Sequence, residues 1–303
     1  MINEVFCSRL EEIARRSGAE VVRGASTALL STVQIGGRAA ALVKAKSLRD
    51  LEDVVKLTAE SGVEHKVIGK GSNVLFPGGT LDKVLILLSG DDFQNVRFDG
   101  VTVRSGAGMP LGELISECAA NGLAGMEGLI GIPGTVGGAV FMNASYQCAV
   151  ADILTGVVVL DRGLSVRTIN RDEMDMSYRY SSLRDKVIIE AAFKLRKDDP
   201  ADILARMKQS FAEKMGKQPI GERTLGCVFR NPEKGSSPSG ALIDKAGLKG
   251  LAVGGARVSE KHANFIVNTG GATSDDFLEL MSLVRRKVRE EFDVELQPEI
   301  EVL

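Results

Sequence analysis

Apolar residues recur along this chain with two different periods. From Ser47 to Gly62, Leu48, Leu51, Val54 and Val55 fall on one helical face, Ser47 and Asp50 have capping-box spacing, and Gly62 can close the segment. The spacing predicts a helix there, followed by a strand through Val67 and Ile68. Between Val96 and Ser105 the period is two on either side of Asp99-Gly100, which predicts a hairpin turning on that dipeptide. Leu111, Leu114, Ile115, Cys118 and Ala119 predict the next helix, Leu111 to Asn121, with the Cys118 thiol on its packed face. In the last third, Ile203, Leu204, Met207, Phe211 and Met215 mark one amphipathic helix, and Phe277, Met281, Val284, Val288 and Phe292 mark another. Strand-like runs lie at Val187 to Phe193, Gly226 to Phe229, Asn264 to Val267 and Val294 to Val302. Hairpins mixed with helices predict an α+β architecture rather than a regular parallel sheet.

A length of 303 residues suits about two domains. The polar run Lys197-Asp198-Asp199-Pro200 separates a strand from a helix and puts the expected boundary between residues 198 and 199. Apolar residues at 44% and charged residues at 26% describe a globular chain. With 38 Lys and Arg against 40 Asp and Glu, the net charge of −2 provides no field to attract a polyanion, which argues against nucleic-acid binding. No apolar run approaches the roughly 18 residues of a membrane span. Glu4, Arg9, Glu11, Glu12, Arg15 and Arg16 interrupt the region where a signal peptide needs apolar sequence, so the expected location is the cytoplasm. Cys7, Cys118, Cys148 and Cys227 are scattered, and His65 and His262 are the only histidines; this predicts free thiols and no metal site.

Thirty-four glycines cluster in loops, where backbone can approach a ligand closely. Gly106-Ala107-Gly108-Met109-Pro110-Leu111-Gly112 follows a strand and opens a helix, but its third glycine comes one residue late for a dinucleotide fingerprint. Gly69-Lys70-Gly71-Ser72-Asn73 has Gly71 where a P-loop needs Ser or Thr, yet its amides, hydroxyl and cation have the makings of an anion nest. The segment from Gly128 to Ala139 carries Gly131, Gly134, Gly137 and Gly138 around Pro133 and Thr135. Leu129, Ile130, Ile132 and Val136 interleave with these glycines, which favours a ligand-lining loop over a polar linker.

Taken in order, Gly69 to Leu75, Gly131 to Gly138 with Asn143, Tyr178-Arg179-Tyr180-Ser181, Gly226 to Pro232, His262-Ala263-Asn264-Phe265 and Gln297-Pro298-Glu299-Ile300 resemble the motifs of the UDP-N-acetylenolpyruvoylglucosamine reductases, the MurB family. The resemblance spans nearly the whole chain. It implies an FAD-binding region of the vanillyl-alcohol-oxidase (PCMH) type in two subdomains over residues 1–198, and an α+β substrate-binding domain over 199–303. Gly69, Lys70, Gly71, Ser72, Asn73, Pro133, Gly134, Thr135, Gly137, Gly138 and Asn143 would hold non-covalent FAD, with NADPH as reductant and no metal. The short interval between Arg179 and Cys227 resembles the type II branch, which lacks a tyrosine-bearing loop. No obligate protein partner is implied.

The implied reaction reduces the enolpyruvyl ether of UDP-N-acetylglucosamine to UDP-N-acetylmuramate. Its chemistry demands positive charge near the substrate carboxylate and a proton donor. Arg179 offers a planar charged fork, although an arbitrary arginine would more simply pair with an acid such as Asp175. Cys227 stands at the family's proton-donor position, where serine is usual; the plainer reading of a lone cysteine is a small buried hydrophobe. A thiol, with a reference pKa of about 8.5, is mostly protonated at neutral pH and far more acidic than a serine hydroxyl. By resemblance Glu299 joins Arg179 in polarising the developing enolate, as a protonated acid or through a water; strand alternation would put it on one face with Gln297 and Glu301. Tyr178, Lys217 and Asn231 are expected contacts to the UDP-sugar. Ala144-Ser145 stands where the family more often has Ala-Gly, a change expected to affect backbone freedom but not chemistry.

Two other readings share parts of this pattern. A flavin-dependent alcohol or lactone oxidase would not need Arg179, Cys227 and Glu299, and air would rapidly reoxidise its reduced flavin. A non-catalytic nucleotide-sugar or flavin binder would show no NADPH turnover.

Overall fold

The computed structural model describes residues 2–232 and 237–303. Its contacts group the chain into two compact units, each discontinuous in sequence, where composition alone suggests one cut at 198/199. The first comprises residues 1–23, 40–69 and 82–213, the second residues 24–39, 70–81 and 214–303.

The first unit is built on an antiparallel five-stranded sheet of order Val166–Asn170, Leu154–Leu160, Val187–Lys194, Thr102–Gly106 and Val96–Asp99. Pairing of Asp99 with Thr102 leaves Gly100-Val101 as the turn, one residue later than Asp99-Gly100, because the left-handed position (φ +60°) falls on Gly100. A second sheet, lying for the greater part in this unit, has the order Glu20–Ser26, Arg38–Ala45, Thr80–Leu88 and His65–Ile68, with its last pair parallel. The helix Leu48–Glu60 starts at the Ser47/Asp50 capping box and buries Leu51, Val54 and Val55, as its spacing predicts. The helix Leu111–Ala120 buries Leu111, Leu114, Ile115 and Cys118; burying each of the aliphatic side chains is worth roughly 1.5–3 kcal/mol.

The helix Pro200–Lys217 departs from its predicted face. Ile203, Met207 and Ser210 are buried, whereas Leu204 and Met215 are each 46% exposed. The packed ridge runs at i, i+4 and i+7, and the residues beside it point to solvent.

The second unit carries an antiparallel sheet of order Thr224–Cys227, Phe265–Asn268, Ala256–Val258 and Ala252–Val253. The helix Ser274–Phe292 contributes Phe277, Leu280, Met281, Val284 and Val288 to the core of this unit, while the predicted fifth member of the stripe, Phe292, is only half-buried. The predicted strand from Val294 to Val302 is regular only at Glu301–Val302, which pairs in parallel with Val74–Leu75. Pro298 has no N–H for a ladder, so the preceding residues attach by single bonds: Arg230 N–H to Gln297 O at 2.8 Å and Glu299 N–H to Val228 O at 2.8 Å.

Candidate active site

In the first unit the sequence from Gly131 to Asn143 folds as a loop closed by a short helix, Val136–Phe141. Thr135 is its N-cap and accepts from the Gly138 N–H at 3.4 Å. A Cβ on Gly69, at the end of the strand His65–Ile68, would lie only 2.6 Å from Thr135 Oγ1, so glycine is what lets these two loops meet. None of the described backbone hydrogen bonds has the Gly134 or Thr135 N–H as donor, and Pro133 and Gly138 are exposed. Amide donors beside a hydroxyl in a glycine-walled cradle suit a diphosphate, so these residues fit FAD. The Gly106 to Gly112 turn differs: the amides of Ala107, Gly108 and Met109 are engaged by the carbonyls of Ile189, Phe93 and Gly106, which makes it a packed corner.

Asn143 is buried. Its Nδ2 donates to Ser177 O at 2.9 Å and its Oδ1 accepts from Ala151 N–H at 2.9 Å. Asn143 thereby ties the glycine segment to the hairpin formed by Met176–Ser177 and Tyr180–Ser181. The other hairpin strand is fastened by Ser181, whose Oγ donates to Phe141 O at 2.8 Å.

Tyr178 and Arg179 form the tip. Tyr178 is 48% exposed. Arg179 has φ +56°, a left-handed conformation that costs an L-residue about 1–2 kcal/mol. Its guanidinium donates from Nη1 to Ser145 Oγ at 2.9 Å and lies 5.2 Å from the Tyr178 ring centroid. Arg184 donates to Arg179 O at 3.4 Å and packs its own guanidinium over Phe141 and Tyr180, each ring centroid 5.4 Å away.

Close to the glycine segment, Glu127 is buried with Arg206 Nε at 3.0 Å, and Arg206 Nη2 reaches Asp198 at 2.6 Å. Burial alone would raise the Glu127 pKa, but hydrogen bonds from its own backbone and Gly125, together with Arg206, hold it below the usual carboxylate range. Burial pushes the Cys118 thiol up to about 12 and the Cys148 thiol up to about 11, which keeps both protonated.

In the second unit Cys227 ends the strand Thr224–Cys227, opposite Phe265 and after a register shift. The residue before it, Gly226, has φ +80°; a glycine bulge of this kind re-aims the next side chain, and Cys227 is half-exposed rather than packed as a small hydrophobe. Beyond it, Asn264 is buried and satisfies both backbone groups of Phe229: Oδ1 accepts from the N–H at 3.0 Å and Nδ2 donates to the carbonyl at 2.8 Å. Val228 O takes the Glu299 N–H, so the structure brings the backbones of Cys227 and Glu299 into neighbouring segments. Glu299 is half-buried.

Asn73 secures the same segment. Its Nδ2 donates to Glu299 O at 3.2 Å, and its carbonyl accepts from Glu301 N–H at 2.9 Å. Gly71 is packed close, with its carbonyl accepting from Thr32 N–H at 3.3 Å, while Lys70 is exposed and Ser72 half-buried. Lys217 and Asn231 are both exposed, and Asn231 Oδ1 accepts from Ser239 N–H at 3.1 Å. Burial lowers the His262 pKa, so its ring is neutral at pH 7 and Nδ1 accepts from Asn264 N–H at 3.2 Å.

The motif spacing gave no sign of what Ser145 and Arg184 contact. Asn264 lies within a quoted motif, yet only the fold shows which backbone groups it serves. Among the described residues, no group of three or more His, Cys, Asp or Glu is placed to hold a metal ion, and no helix is long and apolar enough to cross a membrane.

Comparison with known proteins matches residues 39–168 to an FAD binding domain and residues 218–303 to the UDP-N-acetylenolpyruvoylglucosamine reductase C-terminal domain. The UDP-N-acetylenolpyruvoylglucosamine reductase of Halalkalibacterium halodurans is 38% identical over 298 residues, covering 97% of this chain and 98% of that protein. The enzyme of that name from Bacillus licheniformis is 33% identical over 298 residues, covering 97% of each. The crystal structure of MurB from Thermus caldophilus superposes with a TM-score of 0.79 at 36% identity, covering 94% of this chain and 98% of that one. A glucooligosaccharide oxidase of Acremonium strictum shares the fold alone, with a TM-score of 0.50 at 14% identity over 96% of this chain and 59% of that one. Identity of this order along nearly the whole length, with matched domains on both sides of residue 198, shows that the chain belongs to the UDP-N-acetylenolpyruvoylglucosamine reductase family.

Proposed function

We propose that this protein is a cytoplasmic enzyme that reduces UDP-N-acetylglucosamine enolpyruvate to UDP-N-acetylmuramate at the expense of NADPH, acting on small molecules without an obligate protein partner. The observation that carries this reading is the Arg179 hairpin tip, a strained backbone holding an arginine within a chain whose relatives bear the reductase name. Bound FAD would supply the hydride chemistry that couples oxidation of NADPH to reduction at the terminal vinyl carbon. Gly69, Lys70, Gly71, Ser72, Asn73, Pro133, Gly134, Thr135, Gly137 and Gly138 are proposed to form its binding loops, with Asn143 and Asn73 bracing them.

Addition at the vinyl carbon leaves negative charge on the carbon bearing the carboxylate. Arg179 binds and polarises that carboxylate, its planar fork spreading two hydrogen bonds over the two oxygens. Cys227 gives the thiol proton to the α carbon, forming the new C–H bond, and the thiolate regains a proton from solvent. Glu299 donates a hydrogen bond to the same developing enolate, as a protonated acid or through a water. Tyr178, Lys217 and Asn231 contact the UDP-sugar.

An anaerobic visible spectrum tests the reading in one cuvette. Bound flavin bleaches with NADPH and recovers when UDP-N-acetylglucosamine enolpyruvate is added. Bleaching without recovery overturns the substrate assignment, and rapid recovery in air alone supports an oxidase.

A further inference from the structure

Ser145 occupies a position where the family resemblance leads one to expect glycine, and the sequence points only to a change in backbone freedom. The structure gives its hydroxyl a partner. Oγ lies 2.9 Å from Arg179 Nη1, with the Ser145 carbonyl 3.5 Å from the same nitrogen. Ser145 is itself fixed by an antiparallel bridge to Ala149 and lies two residues beyond the buried Asn143, which grips the base of the Arg179 hairpin at Ser177 O.

We infer that Ser145 is a positioning residue for Arg179. The arginine is half-buried on a two-residue tip and has several rotatable bonds. Asn143 and Ser181 fix the base of that tip, Arg184 fixes its carbonyl, and Ser145 fixes the guanidinium itself. A hydroxyl that accepts from Nη1 holds that end of the planar fork in one orientation. A glycine at 145 would lack this acceptor, and the serine hydroxyl sets the rotamer in which Arg179 meets its anionic substrate.

The inference rests on the proposed reaction, and two measurements separate the failures. In stopped flow, Ser145→Ala leaves flavin reduction by NADPH unchanged and slows substrate-driven reoxidation about tenfold. Ser145→Thr, which keeps the hydroxyl, stays within about threefold of wild type. In an Arg179→Ala background, Ser145→Ala has no further effect, as a group acting only through Arg179 requires. Reoxidation of Ser145→Ala at the wild-type rate, or an equal slowing in the Arg179→Ala background, overturns the inference. Side-chain NMR of ¹⁵N-arginine protein, with the Arg179 signal assigned by its loss in Arg179→Lys, gives a readout independent of turnover. Separate, slowly exchanging Nη signals are expected in wild type and Ser145→Thr, and averaged ones in Ser145→Ala. Identical signals in all three overturn the clamp. If wild-type flavin stays reduced with substrate present, the functional reading fails, and the NMR result alone decides the clamp.

Discussion

Replacing Arg179 by glycine and by alanine separates what its backbone costs from what its side chain does. Both substitutions remove the hydrogen bond to Ser145 and the packing over Tyr178, so those losses cancel when the variants are compared. What remains is the backbone at φ +56°. Alanine keeps the left-handed penalty of about 1–2 kcal/mol, and glycine escapes it. Glycine in turn loses about 0.5–1 kcal/mol through the greater freedom of its unfolded chain. The balance favours Arg179→Gly over Arg179→Ala by roughly 0.5–1 kcal/mol, the reverse of the order in a regular helix or strand. For a chain of this size that is a difference in melting midpoint of about 1–3 °C, readable by differential scanning fluorimetry of the two FAD-loaded variants in parallel. In both, NADPH should still bleach the flavin while substrate-driven recovery falls about 10²–10³-fold, the usual scale for removing a donor to a developing anion. A glycine variant that melts at or below the alanine variant would falsify the claim that the hairpin tip stores strain. Normal recovery in either would remove Arg179 from the chemistry.

Three other outcomes follow from the geometry. Cys227→Ser should retain substantial turnover, whereas Cys227→Ala should be reduced normally by NADPH yet stall with substrate; an alanine variant that turns over normally places the proton donor elsewhere. Gly69→Ala puts a Cβ 2.6 Å from Thr135 Oγ1 and should weaken FAD retention on gel filtration at least tenfold, and Thr135→Ala in the same chain should recover part of it because the clashing atom is gone. Because Glu127 has its pKa lowered in the folded protein, its contribution is fully present above the unfolded carboxylate value near 4.3 and is lost as pH falls through the folded value. Glu127→Gln should therefore destabilise the protein at pH 7 by about 1–3 kcal/mol and flatten the acid limb of a urea-midpoint profile below the unfolded carboxylate value; parallel acid limbs would show that Glu127 is not the linked group.

Local signals were the legible ones. Ser47 with Asp50 specified the start of one helix, and Leu111, Leu114, Ile115 and Cys118 the buried face of another, because capping and helical spacing act within a few residues. The glycine loops, Arg179, Cys227 and Glu299 stood out by motif. The discontinuous units did not, because residues 24–39 and 70–81 join residues 214–303 through contacts distant in sequence that no composition shift marks. Leu204 and Met215 misled because apolar side chains are common on helix surfaces. Ser145 was visible as a departure, but its role depends on a left-handed residue 34 positions later that turns a guanidinium back toward it.

The same distinction explains why asparagine recurs beside these loops. Glycine-rich loops supply close approach and positive φ, but they lack a ladder, so their backbone groups must find other partners. An amide side chain carries a donor and an acceptor on one short stem and can serve two strands at once. Asn143 does this between Ser177 and Ala151 from a left-handed backbone (φ +42°), Asn264 at both backbone groups of Phe229, and Asn73 at Glu299 with side chain and at Glu301 with backbone. Asn143 and Asn264 each attach two positions from a proposed reacting group, at Ser177 and Phe229, and Asn73 attaches to Glu299 itself. The loops are thus open in sequence and fixed in space. In the first unit Asn143 secures the hairpin that bears Arg179, and in the second Asn264 and Asn73 secure the segments that bear Cys227 and Glu299, fixing backbones that side-chain chemistry at those three positions alone could not hold.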